Sequence, residues 1–381
     1  MRSVLIVLIS LHGLIHVLGF LKAFELARLP QLRLPISTAL GVLWLSAAIL
    51  ILASMAAWLT WPRGWWLIGA VAVVSSQSAI VSSWSDAKFG TWPNLLLLGL
   101  VVYGCATQGP GSFRARFDAE STASQAEDRT AQSEAPAPPL RLEERDLLAL
   151  PPPVQRYLRA TGFVGQPRVA SYRLRFRGRI RGTPNDAWLS FDAEQRSVVQ
   201  PATRLFLMSA QMKGLPVQAF HRFVAASASM QVKLAGLFSM VDQKGPELSR
   251  AETVTVFNDM CLLAPGALVS PAVQWVDWDE HRAHARFTSG AHTIAATLEF
   301  DDDGLLRNFV SDDRSRTSAD GRTLTRLRFS TPVRDYKPYG PYRLASLGEA
   351  RWHAPPPEGT FTYGEFELVE AQFDEAASSA R

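Results

Sequence analysis

The chain predicts an α+β protein in two parts: an N-terminal four-helix transmembrane bundle, then a soluble domain built on a curved antiparallel β-sheet with short helices at its start. Three observations predict it. Up to Pro110 there are only six basic and two acidic residues, whereas the remainder of the 381-residue chain is densely charged. Long apolar runs fill the first part, as membrane spans require. Beyond it, apolar residues recur at every second position in short runs bounded by turn residues, the period of half-buried strands.

Apolar runs cover residues 4–21, 39–59, 66–84 and 92–106. A helix rises about 1.5 Å per residue and needs roughly 20 residues to cross a hydrocarbon core, so the first three suffice and the fourth is short. Trp58, Trp61, Trp65 and Trp66 gather around Pro62, and Trp84 and Trp92 flank the next turn, where interfacial aromatics belong. An even number of spans places both ends of the bundle on one side. Arg2, Arg63, Arg114 and Arg116 on that side balance Lys22, Arg28, Arg33 and Lys88 on the other, so charge assigns no orientation. The bundle takes residues 1–106.

Residues 107–139 turn to Gly, Ser, Ala, Gln, Glu and Pro with scarcely an aliphatic side chain, which predicts a disordered tether. The soluble antiparallel β domain takes 140–381. A short helical piece is expected at 141–148. A second is announced by Pro151, Pro152 and Pro153, since Pro fits the first helical turn, Val154, Tyr157 and Leu158 follow at helical spacing, and Gly162 ends it. After Pro167 the period becomes two, with Tyr172, Leu174 and Phe176 alternating with Arg173, Arg175 and Arg177. Further strands are predicted over 187–191, 203–208, 220–225, 230–234, 252–257, 273–278, 284–288, 293–300, 305–310, 323–329, 342–352 and 361–373. Asp302-Asp303-Gly304 and Asp320-Gly321 supply hairpin turns. No helical pattern interleaves with these strands, which argues against a parallel βαβ fold and for an antiparallel meander curling around a core.

Composition excludes several function classes. Beyond Pro110, 33 basic and 33 acidic residues cancel, so the whole-chain excess of +4 belongs to the membrane part and no nucleic-acid partner is expected. Cys105 and Cys261 offer neither zinc spacing nor a disulfide framework. There is no GxSxG elbow, Walker loop, HExxH or GxGxxG, so no catalytic residue, metal site or cofactor is assigned.

Three groups of residues stand out. His12 and His16 lie at i, i+4 on the first span, as a membrane polar pair. We read them as neutral imidazoles hydrogen-bonding between helices beside Gly13 and Gly19, with Gln77 as a partner; metal or haem ligation is the alternative. Residues 205–260 hold five of the seven methionines among aromatic and aliphatic neighbours. Flexible Met side chains on a concave sheet adapt to an irregular apolar ligand, so Phe206, Met208, Met212, Phe220, Phe223, Met230, Leu234, Phe238 and Met240 form the predicted ligand-binding set; an ordinary core is the alternative. Glu252, Asn258, Asp259, Asp312 and Arg314 are polar site residues near strand ends, with Glu252 and Arg314 as an ion pair inside the half-barrel; turn capping is the alternative.

The His12-Gly13-Leu14-Ile15-His16 run, the Trp84-Ser85-Asp86-Ala87-Lys88-Phe89-Gly90 turn and Leu150-Pro151-Pro152-Pro153-Val154-Gln155-Arg156-Tyr157-Leu158 resemble an uncharacterised bacterial membrane family, domain of unknown function 6544. Glu252-Thr253-Val254-Thr255, Asn258-Asp259-Met260, Leu263-Ala264-Pro265-Gly266-Ala267-Leu268 and Ser311-Asp312-Asp313-Arg314 extend that resemblance over nearly the whole chain. More remotely, residues 329–351, with Asp335-Tyr336 and Tyr342-Arg343-Leu344, resemble the LolA-like half-barrel that shelters acyl chains. The resemblance implies a multi-pass protein of the bacterial inner membrane with the soluble domain on the extracytoplasmic side. The expected function is binding of an apolar or lipid-like ligand without covalent chemistry, the partner being a membrane lipid or a lipidated molecule. Two rivals stand beside it: an enzyme using carboxylates near Glu252, Asp259 and Asp312, and a ligand-free scaffold or sensor.

Overall fold

The computed structural model describes residues 2–133, 140–318 and 323–375. The N-terminal unit contains α1 (Arg2–Ala23), α2 (Thr38–Thr60), α3 (Trp65–Ser82), the short α4 (Trp84–Ala87) and α5 (Thr91–Gln108). Four helices are long and apolar enough to cross a membrane, the last in continuation from Trp84. Ser37 starts α2 by accepting the Leu40 N–H on its hydroxyl at 3.3 Å, as an N-cap does. Close packing of α1 and α2 depends on a missing side chain: a Cβ on Gly19 would lie 2.2 Å from the Trp44 ring.

Over 107–139, where low hydrophobicity predicts a disordered tether, the described residues are helical except for the turn at 109–112. α5 continues to Gln108 and α6 spans Phe113–Ser133, while 134–139 lie outside the described residues. The reason is propensity: Ala, Glu, Gln and Arg, abundant in this stretch, are strong helix formers even where they bury little.

Two short helices follow, α7 (Glu144–Leu147) and α8 (Pro152–Ala160), the first closed by a reciprocal capping pair of Glu143 and Asp146. The helix expected over 141–148 shortens to α7 because Arg141 pairs with Pro167 in an isolated β-bridge. Six strands come next: β1 (Val169–Ile180), β2 (Leu189–Val198), β3 (Thr203–Met212), β4 (Leu215–Val224), β5 (Ser227–Leu234) and β6 (Phe238–Lys244). Helix α9 (Pro246–Leu263) interrupts them. Then follow β7 (Val273–Trp278), β8 (Arg282–Ser289), β9 (His292–Phe300), β10 (Leu306–Ser311), β11 (Ser315–Thr317), β12 (Leu324–Arg326), β13 (Arg328–Tyr339), β14 (Tyr342–His353) and β15 (Thr360–Glu375). The Asp320-Gly321 turn lies outside the described residues.

Thirteen strands form one antiparallel sheet in the order β6-β5-β4-β3-β2-β1-β15-β14-β13-β10-β9-β8-β7, and β11 pairs with β12. The two halves join where β1 pairs with β15, Leu174 opposite Ala371. In β1, Tyr172, Leu174 and Phe176 are buried and Arg173, Arg175 and Arg177 exposed, as the alternation predicts. A sheet this wide must curl. It curls around α9, which touches β5 and β6 towards one edge, β8 and β9 towards the other, and β14 between them.

Helix α9 overturns one expected strand. Residues 252–257 alternate like a strand, and Thr253, Val254, Thr255 and Val256 favour one, yet they occupy the middle of this helix. Every residue from Ala251 to Leu263 is buried, so no polar face exposes a helical period. Tertiary burial on all sides outweighs the few tenths of a kcal/mol that each β-branched residue costs in a helix.

Candidate functional site

The curled sheet and α9 line a partly open cavity of about 190 Å³. At Gly245, φ is +121°, a backbone conformation glycine tolerates, and the chain leaves β6 there with Pro246 starting the helix. Along α9, Glu252, Thr255, Asn258, Asp259, Leu262 and Leu263 recur at three- and four-residue steps and line the cavity as one stripe. Arg204, Phe206 and Met208 of β3 line it at the two-residue period of a strand face. Gln195 of β2 and His221 of β4 stand directly opposite Phe206 on its two sides, so the wall continues across three strands. Phe176 and Ile180 from β1, Val333 from β13, Leu347 from β14, and Phe366 and Leu368 from β15 complete the apolar lining.

One end of the cavity is charged and balanced. Arg204 donates through Nε to Asp259 Oδ2 at 2.6 Å, and Gln195 Nε2 donates to the same oxygen at 2.8 Å. Glu252 lies between the two guanidiniums, 4.0 Å from Arg204 and 3.8 Å from Arg314. Arg314 also donates to Thr255 Oγ1 and stacks on Phe329, 4.6 Å from the ring centre. None of these four charged side chains is more than 15% exposed. Breaking one such pair strands its partner in low dielectric, which costs about 3–5 kcal/mol.

The field of this cluster acts on its neighbours. Burial pushes the Glu252 carboxyl up, but Arg314, His221 and Arg204 outweigh it and hold its pKa below the ordinary value. Burial pushes His221 down to about 4, Glu252 opposing and Arg204 and Arg314 adding to the fall, so the imidazole is neutral near pH 7. Its ring packs edge-on against Phe206 at 6.0 Å. Tyr363, also in the lining, is raised by burial. Among the described residues, no group of three or more His, Cys, Asp and Glu comes together to hold a metal ion.

Of the residues singled out from sequence, the cavity gathers Phe206, Met208, Glu252, Asn258, Asp259 and Arg314. It does not gather the others. Phe220 points to the opposite face of β4 and meets Phe117, and Phe223 is part of the solid core. Met230 packs against that core from β5. Met212 and Leu234 sit at the turn ends of their strands, and Phe238 and Met240 on edge strand β6 are 66% and 45% exposed. Asp312 is outside the cavity; its main-chain carbonyl accepts from Arg326 Nε at 2.7 Å. The neighbouring Asp313 is the buried carboxylate there, accepting from Arg250 and from Ala295 N–H at 2.8 Å each.

His12 and His16 are buried in the helical unit. Asn94 Oδ1 accepts from His12 Nε2 at 3.1 Å, Ser76 Oγ meets His16 Nε2 at 2.8 Å, and Asn94 Nδ2 donates to Gln77 Oε1 at 3.0 Å. The pair thus belongs to a polar network joining α1, α3 and α5, with Gln77 in it through Asn94.

Sequence reasoning missed Arg204, His221, Gln195, Thr331 and Tyr363, all in the lining. A signal for the first existed: Arg204 stands on the same alternating face as Phe206 and Met208, where a solvated charge is out of place.

The fold and cavity define a class: a protein with four potential membrane spans and an open antiparallel sheet curled around a buried helix, with a pocket between the two. Residues 141–366 match the family of unknown function DUF6544, and the chain belongs to that family. Two solved structures are similar over 55% of this chain, each at 10% identity. One is described as an outer membrane lipoprotein-sorting protein domain from Vibrio parahaemolyticus, 87% of which is covered at a TM-score of 0.32. The other is a DUF1329 family protein from Desulfovibrio piger, 88% covered at a TM-score of 0.33. No curated protein matches the chain.

Proposed function

We propose that this is a bacterial inner-membrane protein whose soluble β domain, residues 140–381, takes an apolar or lipid-like ligand into the cavity between α9 and the sheet, without covalent chemistry. The observation that carries the reading is the cavity itself. A volume of about 190 Å³ exceeds the roughly 150 Å³ of an engineered apolar cavity that binds benzene, so it seats one ring or a short length of chain. At about 0.8 kcal/mol per buried CH₂, some six methylenes contribute about 5 kcal/mol. Helices able to span a bilayer keep the domain close to its ligand source, which raises the effective concentration and makes modest affinity sufficient. The ligand set is Phe206 and Met208 with Phe176, Leu262, Leu263 and Phe366. Glu252 and Asp259 act as counter-ions to Arg204 and Arg314, which favours binding over an acid–base role. The domain stands on the extracytoplasmic side, and the partner is a membrane lipid or a lipidated molecule.

The test uses the full chain in lipid nanodiscs with a long-chain fatty probe bearing a diazirine. Irradiation and peptide mapping are expected to show adducts at 206–208 and 262–263 as well as on the apolar helices. Adducts confined to the helices would remove the reading.

A further inference from the structure

The polar end of the cavity holds more than balanced charge. Asn258, on the α9 stripe and only 7% exposed, has no hydrogen-bond partner for its Oδ1 among the described residues. The same is true of Arg314 Nε and of Thr331 Oγ1, and all three side chains line this one cavity. Buried polar atoms are almost always paired, because leaving one unpaired forfeits its hydration without return. Three such atoms around one cavity, beside a neutral His221, mark a polar pole built for a group the chain does not itself supply.

We propose that the cavity is selective for an uncharged amphiphile, an apolar chain or ring ending in a hydroxyl or carboxamide, with Asn258 as the residue that recognises the head. This rests on the reading of the cavity as an apolar-ligand site and adds the class of head group.

Charge and donor inventory support it. Arg204 is taken by Asp259 at 2.6 Å, and Glu252 lies within 4.0 Å of both guanidiniums, so two cations meet two anions. A carboxylate head would add a charge with no free counter-ion, and an ammonium head would face two guanidiniums. A neutral head adds none. The unpartnered groups include an acceptor, Asn258 Oδ1, a donor, Arg314 Nε–H, and a hydroxyl that serves as either. A hydroxyl or carboxamide both donates and accepts, whereas a carboxylate only accepts and an ammonium only donates.

The experiment compares two diazirine probes of equal chain length in nanodiscs holding the full chain, one a fatty alcohol and one the fatty acid. The alcohol is expected to label 206–208 and 262–263 about tenfold more than the acid at pH 8, and Asn258→Leu to lower alcohol labelling about tenfold while leaving acid labelling unchanged. Thermal unfolding supplies a second readout. Because Asn258 Oδ1 has no partner to lose among the described residues, Asn258→Leu is expected to fold and to unfold at the same or a higher temperature than the parent. Equal or stronger labelling by the acid overturns the head-group assignment while the cavity remains a ligand site. Absence of cavity labelling by both probes overturns the ligand site and this assignment with it. A marked fall in unfolding temperature for Asn258→Leu would show a structural Asn and also overturn the assignment.

Discussion

His221 shows how one residue registers the whole cluster. Its folded-state pKa of about 4 lies below the 6.5 of an unfolded histidine. Between these values the unfolded chain holds a proton that the folded one does not, so acid favours unfolding. The stabilisation is complete above about pH 6.5 and is lost as pH falls through 4, a total of about 3 kcal/mol at 1.36 kcal/mol per pKa unit. Glu252 acts in the window below. Its folded pKa is depressed from 4.5, so its contribution is present above that value and lost as pH falls through the folded pKa. His221→Gln should flatten the decline in unfolding temperature between pH 6.5 and 4 and, because His221 is one of the groups that lower the Glu252 pKa, also reduce the loss at lower pH that Arg314 and Arg204 still maintain. An unchanged profile in that variant would mean the imidazole does not titrate as its surroundings require.

At the scale of elements, α9 decides the domain. Phe257 is fully buried on it, stacked on Phe287 of β8 at 5.0 Å and edge-on to Phe309 of β10 at 5.8 Å. Tyr157 of α8 ties the helix's C-terminal turn by donating to the Cys261 carbonyl at 2.9 Å. Phe257→Ala removes a ring from a site clamped by two strands and should cost about 3–5 kcal/mol. For a domain of this size that lowers the melting temperature by roughly 10 °C, readable by circular dichroism of the full chain in detergent. A shift within about 1 °C would mean that the sheet does not depend on the helix it encloses. The same element explains the largest misreading from sequence. Glu252, Thr255, Asn258 and Asp259 share one face only because the segment is a helix, and Thr-Val-Thr-Val hides that period behind a strand-like alternation.

Across the whole chain, the helical unit is specified by polarity placed inside it. Ser76 donates to Asn94 Oδ1 at 2.9 Å, and Gln77 Nε2 donates to Thr91 Oγ1 at 3.2 Å, so the network around His12 and His16 is tied at both ends. In hydrocarbon such groups find no water, and interhelical hydrogen bonds contribute about 0.6–2 kcal/mol. Asn94→Leu, which severs bonds to both His12 and Gln77, should lower resistance to SDS-induced unfolding in mixed micelles by about that amount. Full resistance in the variant would show that apolar packing alone holds the helices together.

Local patterns along the chain specify an apolar helical part with four helices long and apolar enough to cross a membrane, a charged β part, and most of its strands. These follow from local regularities: run length against bilayer thickness, a two-residue period, and turn residues with special backbone freedom. Long-range packing alone makes 252–257 helical, turns Phe206 and Met208 to the cavity but not Phe220, Phe223, Met230 and Met240, and brings Arg204 and His221 to Glu252 and Asp259 at one pole. Those facts depend on which strands neighbour each other across gaps of tens of residues and on burial around a helix with no polar face. Apart from the two-residue spacing of Arg204 with Phe206 and Met208, neither leaves a periodic trace along the chain.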